Sequence, residues 1–377
     1  MESPIRVLQV IGIMNRGGAE AMIMNLYRNI NRNKIQFDFI EHTSQKAAFD
    51  DEIVSLGGKI YHCPKFKGTN IFEYKKWWNN FFENEGKDYH IIHGHIGSTA
   101  AIYLSIAKKH GLYTIAHSHN TNNVNDGFNF KQMLYSVLSY NTRNVADYFF
   151  ACSKQAGIDR FGSKVVSDRS RYSVFNNAID TDLFKFDKKI RENKRDELHL
   201  ENRFVIGHVG RFEEQKNHKF ILKVFAEWLK YNRDSVLLLV GGGPLEEDIK
   251  DYAKKLNIFD SVKFLGVRSD VNELMQAMDV LLFPSIYEGL GVVLIEAQAT
   301  GLPCLVSQAI QNEAKLIDSL IFEENLNSDI QRWVKNINEI KDMKYNRSIG
   351  SVEIAKKYFD VRSTSKRLGD FYESKTK

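Results

Sequence analysis

The strand-like runs of this chain are mostly apolar on both faces, without regular polar alternation, and this narrows its possible folds more than any other feature. IRVLQVIG (5–12), FDFIEH (37–42), KIYHCP (59–64), HIIHGHI (90–96), TIAHSHN (114–120) and YFFACS (148–153) are mostly separated by stretches with helical apolar spacing, such as AEAMIMNLYRNI (19–30). The pattern then restarts with FVIGHVGR (204–211), SVLLLVGGGP (235–244), VKFLGV (262–267), VLLFPS (280–285) and PCLVS (303–307). A strand apolar on both faces must be covered on both, as in a parallel sheet sandwiched by helices. Two such series predict an α/β chain of two doubly wound, Rossmann-like domains. A length of 377 residues also suits two cores better than one. The boundary falls within 176–203, around the point where YSVFNNAIDTDLF gives way to the charged KFDKKIRENKRDE. We place the first domain at 1–178, the second at 179–355, and a C-terminal helical segment at 356–377. The tail SIGSVEIAKKYFDVRSTSKRLGDFYE (348–373) reads as amphipathic helix broken near Asp360. Ligands of doubly wound sheets sit at the carboxyl ends of the strands, so two facing domains would place a site in the cleft between them.

Composition bounds the function. Apolar content of 43% and charged content of 26% are those of a soluble globular chain. No apolar run is long enough to span a bilayer, and no signal-like run follows the N-terminus. Cys63, Cys152 and Cys304 lie far apart in apolar contexts and read as buried, reduced thiols, which implies a cytoplasmic location. Residues 1–175 hold 21 Lys/Arg against 15 Asp/Glu, net +6, and the remainder holds 31 against 32, net −1. The basic first part would suit an anionic membrane surface or a lipid-diphosphate carrier; an ordinary lysine-rich surface is the plainer reading. Nucleic acid is not expected, because no basic stripe or recognition motif appears.

The segment SIYEGLGVVLIEAQATGLP (285–303) carries the sharpest chemical signal. A buried strand, VLLFP, leads to Glu288, then to the turn Gly289-Leu290-Gly291, then to a helix that holds Glu296. This order presents free backbone N–H groups and a positive helix end to an anion, with a carboxylate beside them to accept from hydroxyls. A ligand that is part phosphate and part sugar needs both. GRFEEQK (210–216) ends another strand of the same series, so Arg211 and Lys216 lie on the same sheet edge. There they could neutralise a departing diphosphate, or pair with Glu213 or Glu214 on the surface.

Other segments are more ambiguous. GIMNRGGAE (12–20), with Gly17 and Gly18 between strand and helix, is neither a P-loop nor a dinucleotide fingerprint; it admits a ligand or is a plain turn. The pairs His93/His95 and His117/His119 each share one face at a strand end. They could hold a metal, but no cysteine or carboxylate stands at ligand spacing, so no metal site is expected. His117 is favoured to face a sugar hydroxyl or the reaction centre, with the other three packed or on the surface. In GGGP (241–244), Gly243 either admits a ligand or simply closes a loop. In FLGVRSDV (264–271), the backbone at Val267 and the stem of Arg268 could meet a planar base. Asn176, Asn177 and Asp180 read as turn-formers. KKWWNNFFEN (75–84) reads as helix packing, or as a membrane-facing surface if exposed.

Taken together, GIMNRGGAE, AHSHN, VFNNAIDTDLF, GRFEEQK, VGGGP, FLGVRSDV and EGLGVVLIE resemble the family-four retaining glycosyltransferases of GT-B fold, which build bacterial capsular polysaccharide, exopolysaccharide and lipopolysaccharide. The resemblance implies roles. Glu288 would bind donor-sugar hydroxyls, with the backbone of Gly289, Leu290 and Gly291 on the sugar's distal groups and the phosphate. Glu296 would bind the ribose, and Arg211 and Lys216 the leaving diphosphate. His117 would sit by the anomeric carbon, Gly17 and Gly18 would line the other domain, and the C-terminal helix would cross back onto it. No metal or other cofactor is implied. One departure is Ala178, where the family often has glycine.

The expected activity is transfer of a hexose or N-acetylhexosamine, with retained configuration, from a UDP-linked sugar to a saccharide or to a saccharide linked to a lipid diphosphate, in surface polysaccharide biosynthesis. The enzyme could touch the inner membrane surface peripherally. The alternatives are a metal-dependent hydrolase using the histidines, and a silent subunit that binds sugar nucleotides.

Overall fold

The computed structural model describes residues 3–15, 17–119 and 140–376. Arg16 of the first glycine loop and Asn120 of the HSHN segment lie outside the described residues. The chain divides into two compact units, Met1–Ala178 with Val361–Lys377, and Ile179–Asp360.

The first unit holds a seven-stranded parallel sheet. Its strands are β1 (Ile5–Ile11), β2 (Ile35–Glu41), β3 (Ile60–His62), β4 (Ile91–Gly94), β5 (Tyr113–Ser118), β6 (Tyr148–Ala151) and β7 (Tyr172–Val174), in the order β3-β2-β1-β4-β5-β6-β7. The second holds β8 (Phe204–Val209), β9 (Ser235–Val240), β10 (Val262–Gly266), β11 (Val280–Phe283), β12 (Cys304–Ser307) and β13 (Ile321–Glu324), in the order β10-β9-β8-β11-β12-β13. Every pairing is parallel. The largely apolar runs explain this: β9 and β11 are buried at every residue. Two strands had no counterpart among the expected runs, β7 (YSV) and β13 (IFEE). Each is the outermost strand on its side of the sheet, where burial of both faces is not demanded.

The direction of winding reverses between β1 and β4 in the first unit and between β8 and β11 in the second. At such a switch the two flanking loops diverge to opposite faces, opening a crevice at the strands' carboxyl ends. The crevice of the second unit is therefore framed by the loops that follow Val209 and Phe283.

The tail forms the helices Gly350–Lys356 and Val361–Glu373. Between them Tyr358 takes a left-handed φ of 64°, and Asp360 bridges to Ile179 within the second unit. The chain changes units at Val361. The last helix then buries Val361, Leu368 and Tyr372 in the core of the first unit, with Ile30, Ile35 and Phe37. Helix Ile71–Asn84 turns Tyr74, Trp78, Phe81 and Phe82 inward, so most of its aromatic cluster is packing, while Phe72 stays exposed. Among the described residues no helix is long and apolar enough to cross a membrane. Asp180 caps a turn by accepting from the Asp182 and Leu183 amides, and Ala178 is not among the described residues of positive φ.

Candidate functional site

In the second unit the loops after β8 and β11 are joined by side chains as well as by position. The Lys216 ammonium lies 2.6 Å from Glu288 Oε1, with the lysine side chain 15% and the glutamate 7% exposed. Gln215 donates to the Tyr287 carbonyl at 2.9 Å and to Glu288 Oε2 at 3.3 Å. Its own carbonyl accepts from the Ile286 amide. Asn217, held left-handed at φ 57°, reaches the Pro284 carbonyl. Lys216 also stands 5.0 Å from the centre of the Phe283 ring. A carboxylate and an ammonium drawn from water cost less together than apart, which holds the two loops in one arrangement.

Beyond Glu288 the backbone turns through Leu290, buried at 3%, and Gly291, left-handed at φ 74°, into helix Val292–Ala299. Leu290 thus offers only its backbone. No side chain caps the start of this helix. An uncapped N-terminus beside a lysine is a ready anion site. Glu296 lies one turn into the helix and is partly buried; burial pushes its carboxyl up to about 7. Gln311 donates to the Glu288 carbonyl at 3.4 Å and braces the turn from behind.

The neighbouring expected residues are less directly engaged. Arg211 is 71% exposed and pairs with Glu213 at 2.9 Å, so of the two expected cations only Lys216 is held against Glu288. Val267 is 70% exposed. The Arg268 guanidinium is bound by both oxygens of Asp270, which raises its pKa further and leaves only its stem to meet a base. Gly243 packs on backbone, since an added Cβ would lie 2.7 Å from the Phe212 nitrogen and oxygen. With the Phe212 amide bonded to the Gly242 carbonyl, this ties the β8 loop to the β9 loop. Gly243→Ala is expected to lower stability by about 1–3 kcal/mol through overpacking, as read by urea unfolding.

In the first unit Gly17 precedes helix Gly18–Asn29, and the Glu20 carboxylate folds back beside it, in the space a Gly17 side chain would fill. That start is already occupied by the Glu20 carboxyl, whose pKa burial raises. Gly18 has open space around its Cα. His117 is buried at 4% and lies in a row with His93, His95 and His119. The other three are packed, His93 buried and His95 and His119 half-buried, each stacked on a neighbouring imidazole. Burial lowers all four pKa values, to about 3 for His93 and about 4 for His119, so the imidazoles are neutral near pH 7. Nitrogens of His93, His95 and His117 lie within 4.8 Å of one another.

Gln215 and Gln311 were not singled out from the sequence. Gln215 sits inside GRFEEQK, where a residue between the end of β8 and a lysine could have been suspected. Gln311 comes from a loop after β12 with no distinguishing pattern.

Comparison with known proteins places this geometry. Residues 16–183 match the family model Glycosyltransferase Family 4, and residues 189–349 match Glycosyl transferases group 1. The putative glycosyltransferase EpsF of Bacillus subtilis (strain 168) is 36% identical over 336 residues, 88% of this chain and 86% of that protein. The capsular polysaccharide biosynthesis glycosyltransferase CapH of Staphylococcus aureus is 25% identical over 99% of both chains. The crystal structure of Anabaena HepE in complex with UDP and glucose aligns with a TM-score of 0.78 at 18% identity, covering 98% of this chain and all of that one, a likeness that shows the GT-B fold. The chain therefore belongs to the family-four glycosyltransferases, retaining enzymes of a metal-independent class.

Proposed function

We propose that this enzyme moves a hexose or N-acetylhexosamine from a UDP-linked donor to a hydroxyl of a saccharide carried on a lipid diphosphate, in the building of a surface polysaccharide. The observation that carries the reading is the Lys216–Glu288 pair at the β8/β11 switch, beside an uncapped helix start. CapH, a capsular polysaccharide enzyme, and HepE, bound to UDP and glucose, support the product and donor classes. The net +6 of residues 1–175 supports a diphosphate-bearing acceptor at an anionic inner-membrane surface.

In this reading Lys216 and the amides at the start of helix Val292–Ala299 take the donor diphosphate. Glu288, released from Lys216, accepts hydrogen bonds from sugar hydroxyls. Charge then builds on the β-phosphate as the glycosidic bond breaks, and cationic and N–H groups already in place stabilise it without reorganisation. The acceptor hydroxyl attacks from the face the diphosphate leaves and passes its proton to the departing β-phosphate oxygen, and the configuration is kept. Arg211, Val267, the Arg268 stem and Gly243 line the nucleotide's approach, Gly18 gives backbone access in the first unit, and His117 meets a sugar oxygen. A thermal-shift screen of UDP, GDP and ADP sugars, followed by donor-hydrolysis assays, tests the proposal: UDP sugars should stabilise the protein and be consumed. Stabilisation by GDP or ADP sugars alone would replace the donor.

Glu296 supplies a pH signature. Its carboxyl, raised to about 7 by burial, is protonated below that value and becomes a carboxylate above it. The carboxylate accepts from both ribose hydroxyls, one on each oxygen, through charge-assisted bonds stronger than those the protonated acid makes. Nucleotide affinity should therefore rise severalfold between about pH 6 and pH 8, and Glu296→Gln should flatten the rise, by calorimetric titration. The stability effect has the opposite sense. The folded state holds the Glu296 proton more tightly than the unfolded chain, so its contribution is full below the unfolded value and is lost as pH climbs through about 7.

A further inference from the structure

His93, His95, His117 and His119 of the first unit form one hydrogen-bonded row, joined at its middle by Gln9 and Tyr372, two residues that the proposed transfer does not use. His95 Nε2 lies 2.9 Å from Gln9 Oε1, and His95 Nδ1 lies 2.8 Å from His119 Nε2. Gln9 Nε2 approaches the Tyr372 hydroxyl at 3.5 Å. That hydroxyl lies 2.6 Å from His93 Nδ1, and His93 Nε2 lies 3.2 Å from His117 Nδ1. His117 Nε2 and His119 Nδ1 are buried without a partner among the described residues.

The direction of each bond follows from the chemistry of its ends. A neutral imidazole donates at one nitrogen and accepts at the other. Gln9 Oε1 can only accept, so His95 carries its proton on Nε2 and accepts at Nδ1 from His119 Nε2–H. On the other side of Gln9, 2.6 Å is short for an N–H donor and normal for a hydroxyl donor, so Tyr372 donates to His93 Nδ1. His93 must then hold its proton on Nε2 and donate to His117 Nδ1. We infer that Gln9 and Tyr372, acting through His93, are positioning residues that hold the His117 proton on Nε2, so that His117 offers an N–H, never a lone pair, to a sugar oxygen. The sugar is taken from the function proposed above; the direction of the row stands without it.

Ring geometry favours this over a cation shared by the histidines. The His93 and His117 rings meet edge to edge, 14° from coplanar with centroids 5.3 Å apart. His93 and His95 are stacked at 4.4 Å, as are His117 and His119 at 4.2 Å, so lone pairs within each pair run side by side and do not converge. Tyr372 joins the row from the last helix, 279 residues beyond His93.

Long-range 1H–15N correlation spectra of the full chain, labelled at histidine nitrogens, read the tautomers without any mutation. All four of these histidines should carry the proton on Nε2. A His117 proton on Nδ1, the arrangement produced if the Gln9 amide is reversed, overturns the inference. So does stoichiometric zinc bound by the purified enzyme with shifts at these nitrogens. In Tyr372→Phe the His117 proton should become shared between both nitrogens, and kcat for transfer should fall about tenfold, the lower end of what an orienting partner of a functional histidine contributes. An unchanged tautomer and kcat in that variant overturn the relay, even if His117→Ala abolishes transfer. A fully active His117→Ala would instead remove the sugar contact from the proposed function, while the wild-type spectrum still decides the direction of the row.

Discussion

Lys216→Ala is expected to lower kcat for sugar transfer by about 10²–10³-fold, the cost of removing one well-placed group that stabilises developing charge. Steady-state assays with a UDP sugar would read it. The variant also strands Glu288, 7% exposed, without its ammonium partner, so the melting temperature should fall by a few degrees. Lys216→Arg separates the two effects. Arginine restores the charge and much of the stability. Its planar fork, however, cannot reproduce a compact ammonium 2.6 Å from one carboxylate oxygen, so transfer should recover only in part. Wild-type kcat in Lys216→Ala would remove the lysine from the chemistry.

Glu288→Gln is expected to give the second large effect, and it splits binding from transfer. The amide keeps the size of the side chain and the brace to Gln215, so the protein should remain folded. Transfer should drop by about 10²–10³-fold, because donor hydroxyls lose their carboxylate. Binding of UDP alone should hold or tighten severalfold. In the free enzyme Glu288 occupies Lys216, and the neutral amide releases that ammonium for phosphate. Calorimetry with UDP and turnover with the UDP sugar would test the two halves together. Loss of UDP affinity in step with turnover would mean that Glu288 organises the pocket and does not read the sugar.

Much of this site could be read from residue order because a doubly wound sheet converts sequence position into location. A buried strand followed by Glu288, two glycines and an apolar helix can place that carboxylate at few points, and Lys216 follows the strand that turns out to lie next to it. The edge strands β7 and β13 escaped detection because a sheet edge does not demand a long run buried on both faces. Arg211 and Lys216 looked equivalent in sequence, yet only the structure shows that one pairs outward with Glu213 and the other inward with Glu288. The i, i+2 spacing put each histidine pair on one face. It could not give the cross-strand register that joins the pairs, nor bring Gln9 within reach of Tyr372, 363 positions away. Gln311 stayed hidden for the same reason, since its contact with Glu288 is made by a loop whose path depends on tertiary packing.

The central claim is that the loops after β8 and β11 form a receptor for a sugar diphosphate. A crystal structure of the enzyme with a UDP sugar tests it most directly. The diphosphate should lie within hydrogen-bond distance of the Lys216 ammonium and the first amides of helix Val292–Ala299, with Glu288 turned from Lys216 onto sugar hydroxyls. A nucleotide bound elsewhere, with the Lys216–Glu288 pair intact, would contradict it.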